Sequence, residues 1–178
     1  MDAAQIDSIL TGDKHVKKMN YLGVYPADEI PEHAIDAYPC CAVVNTKPHN
    51  HPGMHWVCFV KDEKNNGTYF DSYGTGPGNF EEMSVVLESC HQLEFNDTQL
   101  QTPFSAVCGQ YCIFFIIHKA RGFSLQQIVD MVYDSGDTYA SDALVYSYIQ
   151  NRYADEIFKA TKPPLMATSF ILTDVENI

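Results

Sequence analysis

The apolar positions of this chain change their period several times, and each change marks an element. Over residues 3–20, Ile6, Ile9 and Leu10 recur at helical spacing and predict an amphipathic helix. Tyr21-Leu22-Gly23-Val24-Tyr25-Pro26 reads as an extended, glycine-punctuated link. Cys40-Cys41-Ala42-Val43-Val44-Asn45 is a continuous apolar run of strand length and predicts a buried strand. A loop rich in His, Pro, Asn and Gly follows over 47–53. Two strands are predicted over 55–60 and 68–72, joined by the hairpin signal Asn65-Asn66-Gly67. After a glycine-rich loop at 74–78, residues 81–90 read as a helix and 91–99 as a strand. Residues 109–119 are too apolar to face water on any side, which predicts a central buried helix. Gly122 ends it, and Ser124 caps a helix to about residue 133. A last helix is expected over 142–158, before the break at Pro163-Pro164. The sequence has no internal repeat, low-complexity tract or linker, so one domain over 1–178 is expected. Its class is α+β, with a mainly antiparallel sheet flanked by helices.

Composition narrows the setting. With 178 residues, 46% of them hydrophobic and 12% aromatic, the chain is globular rather than disordered. No run approaches the length of a membrane span, and Met1-Asp2-Ala3-Ala4-Gln5 lacks the basic start and apolar core of a signal peptide. A soluble, intracellular monomer is therefore expected. Four of the six cysteines lie in apolar segments, where a free thiol is the usual state in a reducing compartment. The net charge of −12 makes duplex DNA a poor partner. The densest basic stretch, Lys14, His15, Lys17 and Lys18, is thin.

Cys108 changes the picture most. A Pro/Ser loop gives way to Cys108-Gly109 and then to the buried run, which puts a thiol at a helix mouth. Unpaired N–H groups and the positive end of the helix dipole there favour the thiolate. His55 and Asp71 lie in neighbouring strand segments of the predicted hairpin, near the same end. His55 can serve as base and Asp71 as the acid that orients it. Gln101 can bring a side-chain amide to the oxyanion, with the Cys108 N–H as a second donor. Cys, His, Asp and a Gln before the Cys are the parts of a cysteine peptidase.

The order His, Asp, Gln, Cys excludes the papain-like enzymes, whose Cys comes first. The motifs Gly53-Met54-His55-Trp56, Phe70-Asp71-Ser72-Tyr73-Gly74 and Gln101-x6-Cys108-Gly109 resemble the adenovirus protease (adenain) family. Its wider clan includes the SUMO and NEDD8 proteases. Tyr21-Leu22-Gly23, Ala42-Val43-Val44-Asn45-Thr46 and Ala167-Thr168-Ser169-Phe170 extend the likeness over nearly the whole chain. Similar proteins are encoded by adenovirus-like DNA viruses and by Maverick/Polinton elements. The resemblance implies Cys108 as nucleophile, His55 as its partner, Asp71 as the orienting acid and Gln101 in the oxyanion hole. It implies that Trp56 shields the site and narrows the substrate groove. It further implies glycine-containing cleavage sites, maturation of viral precursor proteins, removal of ubiquitin-like modifiers by some members, and action in the host nucleus or cytoplasm or inside virions. Cys90, eleven residues before Gln101, matches a cysteine that binds an activating peptide by a disulfide. Those enzymes are basic and use DNA as a cofactor; this chain is acidic, and activation by DNA is not expected.

Plainer readings stand beside these. Cys112, one helical turn after Cys108, is a core thiol. Cys90 can be an ordinary free cysteine. His49, His51, His55 and Cys58 lack the spacing of a zinc finger, and no metal is expected. A dedicated ubiquitin-like-protein protease, or a non-catalytic member that only binds such proteins, is the rival to a precursor-cleaving endopeptidase.

Overall fold

The computed structural model describes residues 1–79, 81–133 and 136–161. Helix α1 (Ala3–Gly12) opens on a capping box: the Asp2 carboxylate accepts the Gln5 N–H, and the Gln5 side chain accepts the Asp2 N–H. It stops well short of residue 20. Asp13 closes the last turn through its N–H to Ile9 and Leu10. Its carboxylate then accepts the N–H groups of His15 and Val16 and starts a separate 3-10 turn, Val16–Met19. A glycine followed by an aspartate that satisfies local backbone donors outweighs the helical pattern beyond it.

The described residues form a five-stranded sheet in chain order: β1 (Tyr21–Tyr25), β2 (Cys40–Asn45), β3 (Trp56–Lys61), β4 (Asn66–Phe70) and β5 (Gln92–Phe95). The inner pairs β2–β3 and β3–β4 are antiparallel, and the outer pairs β1–β2 and β4–β5 are parallel. The sheet is thus mixed, not mainly antiparallel as expected. The cause is the two long connections. Residues 26–39, and the segment that contains helix α2 (Glu81–Glu88), each carry the chain back to the starting end of the sheet. The segment read as a link is itself the edge strand β1. Its register shifts at Gly23, whose φ of +130° accommodates the irregularity.

The β3–β4 hairpin turns at 62–65 rather than 65–67. The Asn65 N–H bonds the Asp62 carbonyl, and Asn65 takes a left-handed conformation at φ 60°. The Asp62 carboxylate accepts the N–H groups of Lys64 and Asn66. This Asx-type turn releases Asn66 and Gly67 into the strand. β5 stops at Phe95, short of residue 99, because Asn96 turns to bond the backbone of Asp71.

Both faces of the central strands are covered, which explains the unbroken apolar runs of β2 and β3. Val57 and Phe59 of β3 join Tyr69 and the α2 residues Met83, Val86 and Leu87 on one side. Cys58 and Val60 join the other cluster, built on helix α3 (Cys108–Lys119). Every α3 residue from Gly109 to His118 is buried. Phe115 stacks on Phe70 of β4, ring centres 4.4 Å apart. Helices α1, α4 (Leu125–Val132) and α5 (Thr138–Thr161) complete the enclosure of α3. α4 begins on a Ser124–Gln127 capping box. α5 starts four residues earlier than expected and kinks at Tyr153, whose hydroxyl reaches Asp13 at 3.3 Å. The sequence features at 163–164 and 167–170 lie outside the described residues.

Gly74 holds the end of β4 against the segment after β5. Its φ is +70°, and a Cβ there would come within 2.6–2.9 Å of the Thr98 and Gln99 backbone. Backbone atoms cannot turn aside as a side-chain tip can. Gly74→Ala is expected to lower unfolding free energy by about 2 kcal/mol or more, combining left-handed strain with the clash. Urea unfolding of the variant measures it, and a loss under about 0.5 kcal/mol refutes the close approach.

Candidate active site

Cys108 is the first residue of α3, and Val107 supplies no side-chain cap. The backbone N–H groups of Trp56 and Gly109 instead face its sulfur and lower the thiol's pKa. Gly109 lets the neighbouring elements approach. A Cβ there would lie 3.0 Å from Ile6 Cδ1, 3.3 Å from Met1 Cβ and 3.4 Å from Trp56 Cδ1. The glycine after Cys108 thus allows α1 and β3 to close on the helix mouth.

His55 immediately precedes β3, and Asp71 immediately follows β4. The antiparallel register that pairs Cys58 with Phe70 carries both to the end of the hairpin away from its turn. His55 Nε2 lies 2.7 Å from Asp71 Oδ1. The other ring nitrogen is left for Cys108, and the two groups shift each other's pKa, the imidazole's up and the thiol's down. His55 is 8% exposed and Asp71 2%. His55 is therefore contiguous with both Asp71 and Cys108.

Gln101 is fully buried. Its Oε1 accepts the Ser72 hydroxyl at 2.7 Å. Its Nε2 donates to the Ser105 carbonyl at 3.0 Å, with Ser105 Oγ at 3.1 Å and the Tyr73 hydroxyl at 3.4 Å. A carbonyl only accepts, so the amide nitrogen must face the loop that leads into Cys108. Trp56 is half-buried, and its indole N–H donates to the Met1 carbonyl at 3.3 Å. It forms a wall of a cleft of ≈ 290 Å³ with Cys108, Gly53, Met54, Tyr73, Ser105 and Ala106. A second, wider cleft of ≈ 670 Å³ lies on the His55 side, between Lys47, Met54, Tyr73 and Pro103.

Cys90 does not join this cluster. It packs on Gly67, toward the opposite end of β4 from Asp71, and its thiol reaches the Val86 carbonyl at 3.7 Å. Burial pushes its pKa up. Cys112 is enclosed beside Cys58, and burial pushes its thiol well up. His49 pairs with Asp28 at 2.7 Å, and the His51 ring bonds Asn50.

Three residues near the site had no role in the sequence reading. Asn96 pins Asp71 from behind: its Oδ1 accepts the Asp71 N–H at 3.1 Å, and its Nδ2 donates to the Asp71 carbonyl at 2.7 Å. The side chain imitates one more pair of the β4–β5 ladder. Asn45 accepts the N–H groups of Lys47 and Met54 and so closes the loop before His55. Tyr73 stacks on the His55 ring, centres 4.6 Å apart. Only motif context pointed to Tyr73, within Phe70–Gly74, and to Asn45, within Ala42–Thr46, and nothing in the sequence pointed to Asn96.

Electrostatics favour charge separation. Burial opposes a charged His55, but the hydrogen bond to Asp71, then that to Cys108, and the charges of both groups raise its pKa from 6.5 to about 9. Burial likewise pushes the Cys108 thiol up. The His55 hydrogen bond, the Trp56 amide, the His55 charge and the Gly109 amide outweigh it and bring the pKa below its ordinary 9.0. Each group thus favours the charged form of the other.

A profile of the family described as Adenovirus endoprotease matches residues 21–151. The protease of Human adenovirus A serotype 12 is 29% identical over 91 residues, covering 43% of this chain and 44% of that protein. The protease of Bovine adenovirus C serotype 10 is 31% identical over 90 residues, covering 43% and 46%. The matched region thus spans less than half the length of these relatives. The central domain of the Lpg1148 protein of Legionella pneumophila superposes with a TM-score of 0.50 at 14% identity, covering 89% of this chain and 98% of that one. That is a likeness of fold. Among the described residues no helix is long and apolar enough to cross a membrane.

The ion pair predicts a pH signature. Alkylation of Cys108 by iodoacetamide, followed on its own peptide by mass spectrometry, should titrate below the ordinary thiol range. His55→Ala removes the largest lowering influence and should move the midpoint upward. Peptide cleavage should rise with the thiolate and fall again as His55 loses its proton near pH 9. An alkylation midpoint unmoved by His55→Ala refutes the pair.

Proposed function

This chain belongs to the adenovirus endoprotease family, and on that premise we propose that it is a cysteine endopeptidase that cuts after glycine-containing sites in precursor proteins of a virus or virus-like element. The observation that carries the reading is the His55–Asp71 pair beside Cys108 at the start of α3, where the surroundings lower the thiol's pKa. We read residues 1–178 as one peptidase domain, acting inside the infected cell or the assembling particle.

The steps use only protein groups. The Cys108 thiolate attacks the scissile carbonyl, and the carbonyl oxygen becomes an oxyanion. The Cys108 N–H at the helix start and the Gln101 amide are the donors that stabilise it. The tetrahedral intermediate collapses, and the imidazolium of His55 gives its proton to the leaving amine. A thioester remains. Neutral His55 then takes a proton from water as the hydroxide attacks the thioester carbonyl. The acid product leaves, and the thiolate–imidazolium pair is restored. Asp71 holds the ring orientation throughout and stabilises its positive form.

The cleft at Cys108 supports the glycine specificity of this reading. Trp56, Gly53 and Ala106 border it, and a substrate residue without a β-carbon passes most easily between them. The narrow passage also aligns the carbonyl with the thiolate. Ubiquitin-like modifiers with glycine ends present the same chemistry and fall within this reading. Duplex DNA does not, because the net charge of −12 repels phosphates.

Gly-Gly reporters should be cut by the wild-type chain at least tenfold faster than matched Ala-Ala reporters. Cys108→Ala should abolish cleavage and leave the thermal transition in place. Added duplex DNA at physiological salt should leave the rate unchanged. Equal cleavage of both reporters removes the glycine reading, and cleavage surviving in Cys108→Ala removes the nucleophile.

The Cys90 proposal concerns activation. Cys90 sits in the turn that leads into β5, whose four residues are all exposed on the sheet edge. A cysteine-bearing peptide could add there as a further strand and be fixed by a disulfide. Cys90→Ser should then abolish stimulation by a cognate peptide while leaving basal cleavage intact. Stimulation that survives the substitution excludes Cys90 as the anchor.

A further inference from the structure

We propose that Tyr73 is the positioning residue of this site, coupling the base His55 to the oxyanion donor Gln101; the proposal rests on the peptidase reading above. Tyr73 meets three members of the constellation through three different groups. Its backbone N–H donates to Asp71 Oδ1 at 2.9 Å, the same oxygen that takes His55 Nε2 at 2.7 Å. Its ring lies on the His55 imidazole, centres 4.6 Å apart and planes 27° from parallel. Its hydroxyl is an acceptor for Gln101 Nε2 at 3.4 Å. The same side chain forms a wall of both clefts, one beside Cys108 and one beside His55. No other described residue contacts the base, its orienting acid and the Gln101 amide together in this way.

The hydroxyl has a distinct task. The Gln101 amide carries two hydrogens, and three acceptors surround them: Ser105 O at 3.0 Å, Ser105 Oγ at 3.1 Å and Tyr73 at 3.4 Å. The Tyr73 bond is the longest and is given up at least loss. Gln101 is fully buried, so its donor cannot wait in solvent for a substrate. Tyr73, which borders the cleft, keeps one N–H directed toward that side until a developing oxyanion takes it over. Burial and the nearby Cys108, Asp71 and Asp142 raise the Tyr73 pKa, so the hydroxyl stays neutral through the working range. The ring has the other task. It holds the imidazole face-on between Asp71 and the sulfur and limits its rotation out of the ion pair.

Two substitutions separate these tasks. Tyr73→Phe keeps the ring and the backbone N–H and removes only the hydroxyl. It should lower kcat on a Gly-Gly reporter about tenfold or more, with KM within about twofold of wild type. Its iodoacetamide profile for Cys108 should superimpose on the wild-type profile, because alkylation needs the thiolate and no oxyanion donor. Tyr73→Leu removes the ring and should also shift that profile toward higher pH. Thermal melts of both variants identify any loss of fold; if Tyr73→Leu does not fold, Tyr73→Phe alone decides. Wild-type kcat in Tyr73→Phe overturns the coupling to Gln101. A Tyr73→Leu alkylation profile equal to wild type overturns the hold on His55. If the wild-type chain cleaves no peptide, the peptidase reading falls on its own, and the alkylation profiles still decide the hold on the base.

Discussion

The structure depends on enclosing α3. A helix that is apolar on every side cannot lie on a surface, so the sheet must cover one flank and α1, α4 and α5 the others. That enclosure leaves only the helix ends near solvent. Cys108 stands at the end that carries unpaired N–H groups and a positive partial charge. The burial that stabilises the core thus also sets the electrostatics of the thiol. The site sits where the enclosure ends, between the helix mouth and the open end of the β3–β4 hairpin.

The opposite side of the site is held by polar contacts. Asp71 is fixed through its backbone by Asn96 and through its carboxylate by Tyr73. Gln101 is fixed by Ser72 and Ser105. Leu100 and Gln101 both donate their backbone N–H groups to the Ser72 carbonyl at 2.9 Å. The short run Asp71 to Gly74 therefore ties His55, Asn96 and the Gln101 segment together. In a buried, low-dielectric setting such a network is rigid when every member is satisfied.

Much of this was legible in the chain because the governing forces are local. The α3 helix follows from its apolar run, and its start from the Pro/Ser loop and Gly109. The β3–β4 hairpin follows from two apolar segments and an Asp/Asn turn. Distant partners were not legible. β1 becomes a strand only because β2 offers it an edge from across a crossover, and nothing in Tyr21–Tyr25 alone demands that. The end of α1 was missed because Asp13 satisfies backbone donors beyond Gly12, a competition that apolar periodicity does not register. Asn96, Asn45 and Tyr73 act through partners 25, 9 and 18–28 residues away, so their contacts exist only once the sheet has assembled. The Cys, His, Asp and Gln of the site were recognisable by chemical type and order, but the packing that orients them was not.

The mixed sheet bears on the order in which the chain becomes reactive. The antiparallel pairs β2–β3 and β3–β4 need only short or moderate loops, whereas β1–β2 and β4–β5 must wait for crossovers to close. His55 and Asp71 stand at the end of the hairpin that assembles from the nearest contacts. Cys108 arrives from far along the sequence, when α3 docks. Until then its thiol has neither the imidazole nor the Trp56 amide beside it and behaves as an ordinary cysteine. The lowered pKa of Cys108 is therefore a property of the finished fold, absent from a nascent or partly folded chain.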